Sequence, residues 1–373
     1  MNFILTCGGT AGHINPALAV AGRLRELMPD CGILFLGAEG KMEMELVPRE
    51  GYEIKPLKIT NISRGKSLSA IKHNIETLKN VLVSTKEAKK IIAEFKPDAV
   101  IGTGGYVCYP VLKAASSMGI PTAIHESNAV PGLTTKLLSG HVDRVMVGFE
   151  ESREAYGAVG SVTVTGTPVR GAFADYSKSK AKAELGLDPD KPLVLSVWGS
   201  LGAGHMNEIV SQMLPLMRGQ QDFYFIHSAG KRYYEGMMET LGDPEKLKSD
   251  CGADIREYIY DMPRVMAAAD LILCRAGAST ISELTFLGKP TVFVPSPNVT
   301  NNHQEKNARV LEKAGGAKVL LEGEFDAQSL LDTVKALLSD SAALESMAKA
   351  MSSLAVTDAT DRICGVILDM LNK

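Results

Sequence analysis

The sequence has no C-x-x-C pair. Its six cysteines, Cys7, Cys31, Cys108, Cys251, Cys274 and Cys364, lie far apart, which argues against a zinc ribbon or a disulfide framework and makes a reducing compartment their simplest setting. No apolar run approaches the roughly 20 residues of a spanning helix. The opening segment to Gly22 carries no charge, yet it offers neither the basic start nor the unbroken apolar stretch of a signal peptide, since Asn2, Gly8, Gly9 and Gly12 interrupt it. A surplus of one charge is also missing: 40 basic against 43 acidic side chains leave −3, which argues against wholesale nucleic-acid binding. No G-x-x-x-x-G-K-[ST] occurs, so a P-loop is excluded.

What is present is an alternation of strands and helices that runs through the chain twice. At 373 residues with 45% apolar side chains, the chain is too long for one compact core and implies about two domains. "NFILTC", "CGILFLGA" and "DAVIGTGG" are short apolar runs separated by helical stretches, as a parallel sheet with crossover helices requires. After Gly160 the order begins again with "LVLSVWGS", "FYFIHSAG", "DLILCRAG" and "PTVFVPS". The expected fold is α/β, with two Rossmann-like doubly wound parallel sheets facing a central cleft. "GSVTVTGTPVRGAF" has the composition of a connector, so the expected domains are 1–165 and 166–356, with 357–373 a final helix folded back on the first.

Three strand ends open into glycine-rich turns, "CGGTAGH", "GTGGY" and "GSLGAGH", two of them ending in histidine. Glycine lets the backbone approach a ligand, and the amides and positive dipole end of a following helix suit phosphate. One such turn is equally a tight connection; three across two halves point to an interdomain anion site. A dinucleotide-binding oxidoreductase competes, because Glu39 ends the second strand where a ribose-binding carboxylate belongs. Its G-x-G-x-x-G fingerprint fails, however, at Gly8 to Gly12 and again near Gly202 and Gly204, where Asn207 takes the third position. Glu39 then reads as a loop carboxylate beside "KMEMELV".

In order, "GGTAGHINPALA", "GTGGYVCYP", "HESN", "GTPVR", "GSLGA", "CRAGASTISE" and "NNHQEKNA" resemble the motifs of the peptidoglycan UDP-GlcNAc:lipid I N-acetylglucosaminyltransferases, over essentially the whole chain. The resemblance implies a GT-B enzyme moving GlcNAc from UDP-GlcNAc to undecaprenyl-pyrophosphoryl-MurNAc-pentapeptide (lipid I). Two positions depart from the family pattern: Ala11 stands where glycine is usual, and Ser127 where glutamine is common.

The residue chemistry agrees. After the Arg275 to Gly277 turn, Ala278, Ser279, Thr280, Ile281 and Ser282 form a helix start whose amides and hydroxyls can hold a diphosphate. Glu283, one helical turn further in, can accept hydrogen bonds from two ribose hydroxyls; alternatively it closes a capping box with Ser279 or Thr280. By resemblance, Glu283 takes the uridine ribose, the Ile259 backbone faces uracil, Ser200 and Arg170 help hold the nucleotide, and Gln304 recognises sugar hydroxyls. The run around Gln304 reads equally as a solvated loop. Asp188-Pro189-Asp190 precedes a strand and reads as a turn rather than a cation site, so neither a metal nor a cofactor is expected.

Inversion at the anomeric carbon needs a base opposite UDP to take the proton of the MurNAc C4 hydroxyl. His13, on the first glycine turn with Thr10, Ala11 and Gly12, is the expected base, since an imidazole titrates near neutral pH; otherwise it caps the loop or binds the acceptor pyrophosphate. His125 is a secondary candidate, and Asn128 an expected substrate contact. "RGKSLSAIKHNIETLKNVLVSTKEAKKII" spaces Leu68, Ile71, Ile75, Leu78 and Leu82 helically among Lys66, Lys72, Lys79, Lys86, Lys89 and Lys90. That pattern suits either an interfacial helix on an anionic membrane or a core-facing stripe. The resemblance, through its membrane-lipid acceptor, implies a peripheral location on the cytoplasmic face of a bacterial cell membrane. Two other classes remain open: another GT-B enzyme, such as a UDP-GlcNAc 2-epimerase or a diacylglycerol glycosyltransferase, and a nucleotide-sugar-binding regulator without turnover. The epimerase needs acidic residues around the sugar, and no clear carboxylate pair falls in these loops.

Overall fold

The computed structural model describes residues 1–60, 68–156, 162–299 and 302–372, with 68–75 and 78 described as helix only. The chain forms two compact units, Met1–Arg170 with Thr357–Lys373, and Gly171–Val356.

The first unit holds β1 (Asn2–Thr6), β2 (Gly32–Ala38), β3 (Glu53–Leu57), β4 (Ala99–Gly102), β5 (Thr122–Glu126), β6 (Arg144–Val147) and β7 (Val162–Val164) in the order β3-β2-β1-β4-β5-β6-β7. All of its pairings are parallel, with Ile4 opposite both Leu34 and Val100. Alternation along β1 and β2 sends Phe3, Leu5, Ile33 and Phe35 into one apolar cluster and Ile4, Leu34 and Leu36 into another, one on each face of the sheet. The C-terminal helix Ala359–Leu371 completes the first cluster. Its Ile363, Cys364, Ile367 and Met370 recur at helical spacing and are buried there, and Arg23 meets Asp361 at 2.6 Å beside them.

The second unit holds β8 (Leu193–Val197), β9 (Tyr224–Ser228), β10 (Ala253–Arg256), β11 (Leu271–Cys274), β12 (Thr291–Phe293) and β13 (Ala317–Val319), parallel throughout in the order β10-β9-β8-β11-β12-β13. The expected pair of doubly wound parallel sheets is thus present, each built around its own core.

One expectation is corrected. The segment taken for a pure connector contributes β7, an edge strand of three residues in the first sheet. Of the strands not anticipated, β3, β7, β10 and β13 are sheet edges, whereas β5 and β6 lie inside the first sheet. β3 carries Glu53, Lys55 and Pro56, a composition that an edge tolerates because one side of the strand needs no ladder bonds. β10 and β13 are short edges as well, while β5 buries His125 and Glu126, whose polarity hides the strand pattern.

Candidate functional site

Ligands of open α/β sheets bind beyond the carboxyl ends of the strands, where the strand order reverses. In the first sheet this point lies between β1 and β4, and both strands run into glycine turns. Gly8 donates its N–H to the Gly104 carbonyl at 3.2 Å, and Thr103 Oγ1 donates to the His13 carbonyl at 2.7 Å. The two turns are therefore tied to each other and to the helix Ala11–Leu27. Thr10 precedes this helix in extended conformation, its side chain making no cap bond. Ala11 is the first helical residue, and it is not among the described non-glycine residues with positive φ, which are Lys96 and Asn302. A methyl group at position 11 is accordingly compatible with the turn.

His13 is half-buried, with Nδ1 2.9 Å from the Gly8 carbonyl oxygen. A carbonyl only accepts, so Nδ1 carries a proton and in the neutral ring Nε2 holds the lone pair. The Nε2 edge runs along Gly104, where a Cβ would stand 2.5 Å from Cδ2 and 3.0 Å from Nε2. Glycine at 104 leaves room for that edge.

His125 is built differently. It is fully buried, with Nε2 2.9 Å from the Gly166 carbonyl and Nδ1 3.4 Å from Ser127 Oγ. Burial holds its pKa below the ordinary histidine value, against the pull of the Gly166 carbonyl. With both nitrogens engaged by the protein, it serves the loop, and Ser127 faces inward toward it. The neighbouring Glu126 carboxylate accepts from Asn128 N at 3.0 Å, Asn128 Nδ2 at 2.9 Å, Gly132 N at 2.8 Å and Thr135 Oγ1 at 2.9 Å. Asn128 thus sits at the strand end with its amide nitrogen turned to Glu126. Arg170 pairs with Glu50 at 2.8 Å.

In the second sheet the reversal lies between β8 and β11. The turn after β8 presents half-buried Ser200 beside exposed Leu201. Beneath it Trp198 Nε1 donates to Ser196 Oγ at 2.9 Å, Ser196 Oγ meets His227 Nδ1 at 2.9 Å, His227 Nε2 meets Asn207 Oδ1 at 3.1 Å, and Asn207 Nδ2 donates to the Ala229 carbonyl at 2.9 Å. An oxygen acceptor at Asn207 makes Nε2 the donor, so Nδ1 accepts from Ser196 and every member is satisfied. Burial pushes the His227 pKa down to about 3; the ring is neutral.

β11 leads through Arg275 into the helix Ala278–Leu287, whose N-cap, Gly277, supplies no side chain. Arg275 Nη1 donates to the Val294 carbonyl at 3.0 Å and pairs with Glu322 at 2.5 Å. Ala278, Ser279 and Ile281 are buried in the first turns, Thr280 and Ser282 half-buried, and Ser282 Oγ donates to the Ala278 carbonyl at 3.2 Å. Glu283 is only 6% exposed. A capping box needs its glutamate at the third helical position, which with Gly277 as N-cap is Thr280, so Glu283 stands one turn too far in for that role. The Glu283 charge adds to burial in raising the Cys274 thiol pKa at the end of β11.

Ile259 is buried after β10, between Tyr258 and Tyr260, whose rings are 4.7 Å apart. Gln304 lies in the first turn of the helix His303–Lys313, where Oε1 accepts the Ser296 N–H at 2.9 Å. Asp188 Oδ1 accepts the Asp190 N–H at 2.9 Å at the amino end of β8, remote from the carboxyl edge of that sheet. The candidate residues therefore form two groups, Thr10, Ala11, Gly12, His13 and Asn128 on the first sheet, and Ser200, Ile259, Ala278 to Glu283 and Gln304 on the second. Sequence reasoning missed Glu43, Glu126, Asn207 and Glu322 as loop anchors. Only Glu126 stood inside a motif.

Residues 3–147 match the glycosyltransferase family 28 N-terminal domain and residues 193–363 its C-terminal domain. The chain belongs to glycosyltransferase family 28. A family 28 relative from Acetivibrio thermocellus, named UDP-N-acetylglucosamine--N-acetylmuramyl-(pentapeptide) pyrophosphoryl-undecaprenol N-acetylglucosamine transferase, is 44% identical over 100% of this chain and 99% of its own length. The crystal structure of Acinetobacter baumannii MurG is similar at TM-score 0.68 and 29% identity, over 99% of both chains. A UDP-GlcNAc 2-epimerase from Neisseria meningitidis, solved with UDP-GlcNAc bound, shares the fold at TM-score 0.65 and 16% identity over 99% of this chain and 100% of its own.

Proposed function

We propose that this family 28 chain is an inverting transferase that moves GlcNAc from UDP-GlcNAc to the C4 hydroxyl of MurNAc in lipid I, giving lipid II for peptidoglycan. The observation that carries the reading is the His13 ring, held through Nδ1 by the Gly8 carbonyl with its Nε2 lone pair at the strand-order reversal of the first sheet. Nε2 takes the acceptor proton as the C4 oxygen bonds to the anomeric carbon. The bond from that carbon to the β-phosphate oxygen breaks, and its electron pair leaves with UDP. The N–H groups and positive end of the helix at Ala278 to Ser282 receive the growing diphosphate charge. Glu283 holds the ribose hydroxyls, the Ile259 backbone the uracil, Gln304 the sugar hydroxyls, and Ser200 and Arg170 assist the nucleotide; Thr10, Ala11, Gly12 and Asn128 face the acceptor.

The acceptor is a lipid, and among the described residues no helix is long and apolar enough to cross a membrane. A peripheral contact at the cytoplasmic face of the membrane supplies the access. In the helix Leu68–Phe95, Leu82 and Val83 are 69% and 59% exposed, with Lys79, Lys86, Lys89 and Lys90 exposed as well. Leu82, expected in a stripe with four other residues, thus faces solvent. Lys66 and the side chains of Leu68, Ile71, Lys72, Ile75 and Leu78 lie outside the described residues. Leu133 and Leu137, 58% and 50% exposed, flank exposed Lys136 on another helix of this unit. Apolar tips among lysines favour an anionic bilayer.

Incubation with labelled UDP-GlcNAc and a lipid I analogue, without added metal, tests the reading. Label is expected in the lipid product with inverted anomeric configuration. Acceptor-independent conversion of the donor to its C2 epimer, or no transfer at all, overturns it.

A further inference from the structure

Glu43 is fully buried and has no part in the reaction described so far. It begins the short helix Glu43–Arg49, and its two carboxylate oxygens point to different strand ends. Oε1 accepts the Ala38 N–H at 2.9 Å, and Oε2 accepts the Gly9 N–H at 3.1 Å. The approach is close: a Cβ on Gly8 would stand 2.4 Å from Oε1. Gly9 N–H and Gly8 C=O are the two ends of one planar peptide unit. The Gly8 oxygen is the acceptor for His13 Nδ1 at 2.9 Å. Carboxylate, peptide and imidazole therefore form a single hydrogen-bonded line.

We propose that Glu43 is a positioning residue for His13, acting through the Gly8–Gly9 peptide; the proposal rests on the reading of His13 as the base. A negative charge at the N–H end of a peptide polarises it and makes the carbonyl oxygen a stronger acceptor, since hydrogen bonds in a line reinforce one another. The stronger acceptor holds the tautomer in which Nδ1 carries the proton and Nε2 the lone pair. It also stabilises the imidazolium formed when Nε2 takes the proton of the acceptor hydroxyl. Glu43 touches neither substrate nor reacting atoms and gains no proton itself. The planar trans peptide points the Gly9 N–H and the Gly8 carbonyl in opposite directions, the one toward Glu43 and the other toward His13.

The test is Glu43→Gln, which keeps the shape and removes the charge. Its amide oxygen can accept one N–H, and its NH₂ group opposes the other. Ring ¹⁵N NMR of His13, recorded where the ring is neutral, is expected to give one tautomer in the wild type and a mixture in Glu43→Gln. Turnover should fall about tenfold, the scale of one charge-assisted hydrogen bond, with KM for UDP-GlcNAc within about twofold, as expected for an effect confined to the transition state. On a His13→Ala background the same substitution should change kcat little. A folded Glu43→Gln protein with one His13 tautomer and unchanged kcat overturns the proposal. Should Glu43→Gln not fold, the Gly9 amide proton in the wild type and in His13→Ala supplies the second measurement. It should move toward a weaker hydrogen bond when the imidazole is removed, and an unmoved signal overturns the proposal as well. Near-normal turnover of His13→Ala defeats the base reading instead, which is separable because the tautomer is read without turnover.

Discussion

Gly105 and Gly8 meet backbone to backbone: a Cβ on Gly105 would stand 2.3 Å from the Gly8 carbonyl oxygen, and Gly105 has φ +91°. The second sheet repeats the arrangement, with a Cβ on Gly202 falling 2.1 Å from the Ala229 carbonyl oxygen. In each unit two strand-end turns lie closer than any side chain allows. Gly105→Ala is expected to cost about 1–3 kcal/mol from the backbone conformation alone. It should also lower turnover by displacing the carbonyl that holds His13. Urea midpoints and initial rates check both, and a variant unchanged in both would mean the turns have slack.

His13→Ala should lower kcat by about 10²–10⁴-fold, the usual contribution of a positioned base. UDP-GlcNAc affinity should stay near its wild-type value, because His13 is not among the donor contacts proposed here and all of these but Arg170 lie on the other unit. Isothermal titration with UDP-GlcNAc beside single-turnover rates separates the two quantities. Retained turnover would end the base assignment.

Glu283 is tested with 2′-deoxy UDP-GlcNAc. If its buried carboxylate accepts ribose hydroxyls, loss of one such charge-assisted bond, about 1.5–3 kcal/mol, should reduce kcat/KM roughly tenfold to a hundredfold. Glu283→Ala should be poor with the natural donor and nearly indifferent to the missing hydroxyl. Discrimination that survives in Glu283→Ala would assign the ribose to another group.

Burial of the His227 ring makes stability depend on pH. The folded pKa is lowered from 6.5 to about 3, so between these values the unfolded chain binds a proton that the folded chain refuses. The contribution is complete above pH 6.5 and is lost as pH falls toward 3, at about 1.4 kcal/mol per pH unit for one proton. Urea unfolding at pH 7, 6, 5 and 4 should show this slope. His227→Phe, less stable at pH 7, should lack that one-proton component of it, and equal slopes in the two proteins would refute the assignment.

Exposed Leu82 and Val83 among lysines should make vesicle binding stronger on anionic than on neutral lipid, and weaker as salt rises. Lys86→Glu with Lys89→Glu should weaken binding by at least about 1 kcal/mol per position, read by sedimentation with vesicles. Equal binding of wild type and variant would remove this face from the membrane contact.

Much of this protein could be read along the chain. Apolar runs at short intervals, helical stretches between them and glycine at the strand ends are local patterns, and they specify doubly wound sheets because a parallel strand needs a crossover helix to return. The ordered motifs placed His13, the Ala278 to Glu283 helix start and Gln304 near strand ends for the same reason. β3, β7, β10 and β13 stayed hidden because an edge strand is only half covered and need not be apolar. The sequence already ranked His13 ahead of His125, but their different surroundings lay beyond local pattern. Both are histidines beside strand ends in polar motifs, and only tertiary packing buries one against Gly166 while holding the other by Nδ1 alone. Glu43 is the plainest case, since nothing in its local sequence singles it out. Its partner Gly9 lies 34 positions earlier, and a carboxylate becomes an anchor only when folding removes water and brings a backbone N–H to replace it.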